Sequence, residues 1–122
     1  MLAQERLVAF LWTSDRARAR AFYEGVLGLK CLGDQDYLMS FDSGPARISF
    51  VTSDTPITPP TGTAAGWVVG DLRAAVRGLA ARGVAFERGP NSDELGIWWP
   101  EPNVGVAWFL DPDGNRLSLN GS

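Results

Sequence analysis

"VAWFLDPDGNRLSL", residues 106–119, places two apolar runs on either side of Asp111-Pro112-Asp113-Gly114-Asn115. Proline fixes φ, and Gly or Asn accepts a positive φ, so the middle is a turn and the flanks are the arms of a β-hairpin. A connection of Asp111 to Asn115 sets Leu110 opposite Arg116 and Trp108 opposite Ser118. A four-residue loop would reverse the facing of Trp108.

Upstream of the hairpin, "AAGWVV" (64–69) is β-rich, Gly70-Asp71 offers a helix cap, and Leu72, Ala75, Val76 and Leu79 form a helical stripe closed by Gly83. "VAFE" (84–87) predicts a strand, and "RGPNSDELGIWWPEP" (88–102) reads mostly as loop. The first half follows the same order. "RLVAFLWT" (6–13) predicts a strand, and Ser14 or Asp15 caps a helix with Ala19, Phe22, Tyr23 and Val26 on one face. Gly28 ends that helix, and "LKCL" (29–32), "DYLMSF" (36–41) and "ARISFVT" (46–52) read as strands. The linker "SDTPITPPTGT" (53–63), with three prolines, separates the halves. The chain is thus an α+β protein of two β-α-β-β-β modules: 5–52, then the linker 53–63, then 64–120.

With 122 residues and 45% hydrophobic content the chain is the size of one domain with a core of its own. Its 11 basic and 14 acidic residues give a net charge of −3, and no Lys/Arg run is present to neutralise phosphates. Arg16, Arg18 and Arg20 spread around a helix rather than forming a stripe, so no nucleic-acid partner is expected. The single Cys31 excludes an intrachain disulfide and a thiolate zinc cluster. The apolar stretches are too short to span a bilayer, and "MLAQERLVAF" lacks the order of a signal peptide, so a cytoplasmic location and no membrane partner are expected. The chain has no histidine, which excludes Ser-His-Asp and Cys-His catalysis, His-ligated zinc and the His-carboxylate iron triad.

Three segments, "TSDRARARAFYEGVLGL" (13–29), "VVGDLRAAVRGLAARGVAF" (68–86) and the hairpin, resemble the vicinal oxygen chelate superfamily. That superfamily includes glyoxalase I, extradiol dioxygenases, fosfomycin-modifying thiol transferases and bleomycin-resistance proteins. The resemblance covers nearly the whole chain, as a single glyoxalase-like domain over 1–122. It implies two modules whose curved mixed sheets close around a cavity, and a homodimer in which each cavity takes one module from each subunit. It also implies where metal ligands would stand. Here Val8 and Ala64, each seven residues before the Asp that starts a helix, occupy two of those positions, and Ser118 in the final strand occupies the third. Val and Ala offer no donor, and a lone neutral hydroxyl does not hold an ion that prefers carboxylate, imidazole or thiolate. No metal and no other cofactor is therefore expected.

Alternation along the strands gives the residues that share a face with those three positions. Phe10 and Trp12 follow Val8; Gly66 and Val68 follow Ala64; Arg116 lies beside Ser118, with Trp108 across from it. Arg47, between Ala46 and Ile48, faces the cavity, and with Arg116 it offers a bidentate clamp for an anion or an outward, solvated charge. Trp67 is assigned to the core under the second helix. Trp98 and Trp99, adjacent in the loop over the cavity mouth, point to opposite sides, so at least one needs a partner surface, either the ligand or a subunit contact. Five Trp in this length favour a rigid π-surface for a flat ligand.

Two function classes follow, with a third behind them. The first is metal-independent binding of a planar aromatic small molecule, as a drug- or antibiotic-sequestering protein of the bleomycin-resistance kind, with an acidic overall balance slightly favouring cationic or metal-chelated ligands. The second is a metal-independent isomerase or lyase, with Glu101 or Glu94 of the loop as base and Arg47 or Arg116 holding an enolate-like anion. A module whose dimer surface serves partner binding is the third.

Overall fold

The computed structural model describes residues 1–122, which divide into two compact units, Met1–Pro59 and Pro60–Ser122. In the first, β1 (Val8–Thr13) leads into α1 (Arg16–Arg20), followed by β2 (Lys30–Asp34), β3 (Met39–Ser43) and β4 (Ala46–Thr52). In the second, β5 (Thr63–Val69) leads into α2 (Leu72–Ala81), followed by β6 (Trp98–Glu101), β7 (Val104–Leu110) and β8 (Arg116–Gly121). Each unit makes one four-stranded mixed sheet, in the orders β1-β4-β3-β2 and β5-β8-β7-β6. In each the first strand runs parallel to the last, and the other pairs are antiparallel.

The same device starts both helices. Asp15 and Asp71 lie in extended backbone, and the carboxylate of each accepts the N–H three residues on, Arg18 or Ala74, at 3.0 Å. After Arg20 the first helix widens into a π-helical turn over Ala21–Val26, where the Leu27 N–H donates to the Phe22 carbonyl. That turn carries Tyr23 fully into the core, 4.7 Å from the Phe50 ring and 5.8 Å from Phe41 by centroid. The core of the second unit gathers Leu72 and Val76 of α2 with Phe86, Ile97, Ala107, Phe109, Leu117 and Leu119. Trp67 is half-buried and pairs with Leu119, on the face that packs inward.

Two expectations of the sequence are corrected in the second unit. "VAFE" is not a strand: only Phe86 bridges to Phe109, and the Glu87 N–H donates to the Trp108 carbonyl at 2.8 Å. The fourth strand is instead β6, inside the stretch read as loop. Both pieces pair with the same edge of β7, Phe86 near its end and Trp98–Glu101 near its start. Residues 88–97 are therefore an insertion within a divided edge strand. The hairpin pairs Leu110 with Arg116 and Trp108 with Ser118. Its turn is closed by Asp111, whose carboxylate accepts the Asp113 and Asn115 N–H groups and the Asn115 amide, each at 2.9 Å. No helix is long and apolar enough to cross a membrane.

Candidate ligand-binding site

Alternation along β7 buries Gly105, Ala107 and Phe109 and leaves Trp108 on the open face of its sheet. The indole reaches across β8, and its Nε1–H donates to Thr63 Oγ1 on β5 at 3.1 Å. From one flanking strand Trp98 stacks against it, with ring centroids 6.1 Å apart and planes inclined by 22°. From the other, the Arg116 guanidinium lies over the indole with Cζ 4.5 Å from the centroid. Glu87 fixes that guanidinium bidentately: Nε donates to Oε2 at 2.9 Å and a terminal nitrogen to Oε1 at 3.0 Å. The hydrogen bond to Glu87 raises the Arg116 pKa above its ordinary value.

Trp98, Trp108, Arg116, Glu87 and Arg88, with the start of the insertion, line a hollow of about 240 Å³. Drug-sized pockets run to roughly 300–1,000 Å³, so this one suits a ring portion rather than a whole large ligand.

The insertion is held in shape by its own polar groups. Ser92 Oγ donates to the Gly89 carbonyl and accepts the Gly89 N–H, both at 2.9 Å. Asp93 accepts the Leu95 and Ile97 N–H groups at 2.9 Å on one oxygen and the Trp99 Nε1–H at 3.0 Å on the other. Partial burial pushes the Asp93 pKa up, but the three hydrogen bonds and the charge of Arg73 outweigh it and hold the carboxyl below its usual range. Trp99 thus belongs to the helix side. Arg73 of α2 lies over its ring at 4.5 Å, and the ring packs so closely on Gly105 that an added Cβ there would fall 2.8 Å from it.

Of the residues expected at the site, Trp98, Trp108 and Arg116 meet in the hollow, with Ser118 and Gly66 on the same sheet. Trp99 does not join them, because the strand register sends it to the other face. The ladder slips between Thr63 and Ala65, so Thr63, not Ala64, is the residue opposite Arg116 and the one that receives the Trp108 indole. Val68 is exposed and borders a separate hollow with Val104, Val106 and Asn120. In the first unit, Val8 pairs with Arg47, Phe10 with Ser49 and Trp12 with Val51, which puts Val8, Phe10, Trp12 and Arg47 on one face of that sheet. Glu94 and Glu101 are exposed, and neither lines the hollow. The carboxylate that does is Glu87, which the sequence reading missed along with Arg88 and Thr63. A usable signal existed for Glu87: Val84 and Phe86 face inward, so the next residue falls on the side of Trp108, where Arg116 supplies the opposite charge.

The three positions that the resemblance marks for metal ligands do not fit one. The Val8 and Ala64 side chains carry no donor atoms. The Ser118 hydroxyl is buried, accepts the Asn120 amide at 2.9 Å, and sits where a Cβ on Gly66 would be only 2.2 Å away. No group of three or more His, Cys, Asp or Glu side chains is arranged so that it could hold a metal ion.

These features define a two-module βαβββ protein with a tryptophan-lined hollow. The chain belongs to the Glyoxalase/Bleomycin resistance protein/Dioxygenase superfamily, whose family model matches residues 6–119. Among solved structures, a putative glyoxalase family protein from Bacillus anthracis superposes with a TM-score of 0.77 at 17% identity, over 96% of this chain and 93% of its own. TnmS3, an antibiotic binding protein from Streptomyces sp. CB03234, superposes with a TM-score of 0.73 at 25% identity, over 98% and 97%. A glyoxalase/bleomycin resistance protein from the same Streptomyces is similar at 24% identity and a TM-score of 0.69, over 95% and 99%. No curated protein matches the sequence.

Proposed function

We propose that this protein binds a planar aromatic small molecule without a metal ion and sequesters it, as a drug- or antibiotic-binding member of its superfamily. The observation that carries the reading is the Trp98–Trp108 pair, whose Trp98 ring is exposed and whose Trp108 ring is backed by Arg116. The likeness to an antibiotic binding protein supports it. Burying on the order of 300 Å² of apolar ligand surface at about 25 cal/mol per Å² gives roughly 7–8 kcal/mol before association costs. Before those costs that is a micromolar Kd, and subtracting about 4 kcal/mol or more for association leaves the hollow alone at roughly millimolar affinity. In this reading the protein is a cytoplasmic homodimer, and a module of the second copy completes the cavity. The exposed row of Val8, Phe10 and Trp12 on an edge strand supports a second copy. No observation favours the isomerase or lyase reading, since Glu94 and Glu101 stand outside the hollow.

Titration with planar aromatic antibiotics, followed by tryptophan fluorescence, tests this. Saturable quenching is expected, weakened at least about tenfold in Trp98→Ala, with the ligand recovered chemically unchanged. Quenching that does not saturate, or a ligand altered on recovery, would overturn it.

A further inference from the structure

The chain as a whole is acidic, at −3, but the hollow is not. Three ionisable side chains line it: Glu87, Arg88 and Arg116. Glu87 commits both carboxylate oxygens to Arg116, so that pair compensates itself. Arg88 has no such partner. Its guanidinium donates to the Glu94 backbone carbonyl, a neutral group that orients a cation without cancelling its charge. The Glu94 side chain is exposed and outside the lining, and the Asp93 carboxylate is taken up by Leu95, Ile97 and Trp99.

The segment that presents Arg88 is stiff. Ser92 closes the chain back onto Gly89, and Asp93 ties the rest of the insertion to Trp99. A cation held in this way at the edge of an aromatic floor is pre-organised, so little rotamer entropy is lost when an anion docks on it. Distance decides between the local charge and the global one. Acids more than a Debye length away, about 8 Å at physiological salt, are screened, whereas a group in contact with Arg88 is not.

We propose that Arg88 is the residue that selects ligand charge: the hollow takes a planar aromatic anion, with its ring along Trp98 and Trp108 and its carboxylate or other oxyanion on the Arg88 guanidinium. This rests on the proposed aromatic binding and reverses the preference for cations that overall composition implies.

Calorimetry with naphthoate, naphthamide and naphthylmethylammonium, one ring system in three charge states, tests it at neutral pH and low salt. Naphthoate is expected to bind about two- to fivefold more tightly than naphthamide, with the ammonium weakest. Arg88→Gln should bring naphthoate down to the naphthamide level. Arg88→Lys should restore part of the preference, and Arg77→Gln on the exposed side of α2 should leave it intact. Equal binding of acid and amide, tightest binding of the ammonium, or a preference that survives Arg88→Gln would overturn charge selection while aromatic binding stands. If none of the three binds, the aromatic reading falls and the selection falls with it.

Discussion

The two modules begin alike and part company at one edge of the sheet. Each opens with a strand, an Asp cap and a helix, and each ends with a strand running parallel to its first. In the first module the edge strand β2 follows its helix at once and turns into β3 through a tight reciprocal pair of hydrogen bonds between Gln35 and Leu38. In the second, the corresponding edge is divided. Phe86 and Trp98 pair with different parts of β7, and residues 88–97 leave the sheet between them. The polar groups of that insertion bond to one another and to Trp99, so it stands as a wall and the hollow forms beneath it. The candidate site lies where one module departs from its twin, which fits the general rule that function is carried by segments a rigid scaffold holds in place.

The largest expected effects test whether the insertion depends on the core below it. Phe41 and Phe109 are both fully buried, one in each module. Truncating either to Ala should cost about 3–5 kcal/mol in denaturant unfolding. The two variants should nevertheless differ in binding. Phe109 packs edge-on against Phe86, with centroids 5.4 Å apart, at the base of the insertion. Where both variants remain folded, Phe109→Ala should weaken naphthyl binding severalfold and Phe41→Ala should leave it unchanged. Equal losses would remove the distinction between the modules.

A smaller effect, with a pH signature, belongs to Asp93. Replacing it with Ala deprives two backbone N–H groups and the Trp99 indole of their acceptor, at an expected cost of about 2 kcal/mol. The Asp93 pKa is lowered in the folded chain. Its stabilisation is therefore complete above the unfolded carboxylate value of about 3.9 and is lost as the pH falls through the lower folded value. The gap in unfolding free energy between the native protein and Asp93→Ala should be constant near neutrality and close in acid. A gap that widened on acidification would mean that the carboxyl is held protonated.

Much of this was legible in the sequence, and what was not has a physical reason. The hairpin and both helices could be read because turn chemistry, caps and apolar spacing are local. Leu110–Arg116 and Trp108–Ser118 followed from taking Asp111 to Asn115 as the loop, and it is the observed register that decides against the four-residue alternative. β6 could not be read, because "WWPEP" carries two prolines and no alternation, and its pairing is supplied by β7 across a turn in which Asn103 takes a positive φ of 69°. The same dependence hid which of Trp98 and Trp99 faces the hollow: alternation says that they diverge, and only the register with Val106 says which way. The slip at Thr63–Ala65 likewise has no mark in "TAAG". Arg88 was invisible for a different reason, since a charge in a loop acquires meaning only from what fails to neutralise it.

The smallest effects sharpen the comparison through two arginines that alternation placed on the open faces of their sheets. Arg116 has Glu87 on its edge and Trp108 beneath it. Arg47 pairs across its sheet with Val8 and Asp42, and its Nε is buried with no protein acceptor. Methionine keeps most of the apolar stem of either residue and removes the charge. Arg116→Met forfeits a half-exposed ion pair, worth about 0–1 kcal/mol, and a cation–π contact of about 0.5–1 kcal/mol, so a loss near 1 kcal/mol is expected. Because part of that loss is an ion pair at the surface, it should shrink as salt is raised. Arg47→Met gives up no comparable contact and relieves a buried donor, so its melting temperature should stay level or rise. Thermal melts of the two variants at low and high salt distinguish the cases. A salt-sensitive loss at Arg47, with none at Arg116, would mean that the compensated charge sits in the first module and not in the second.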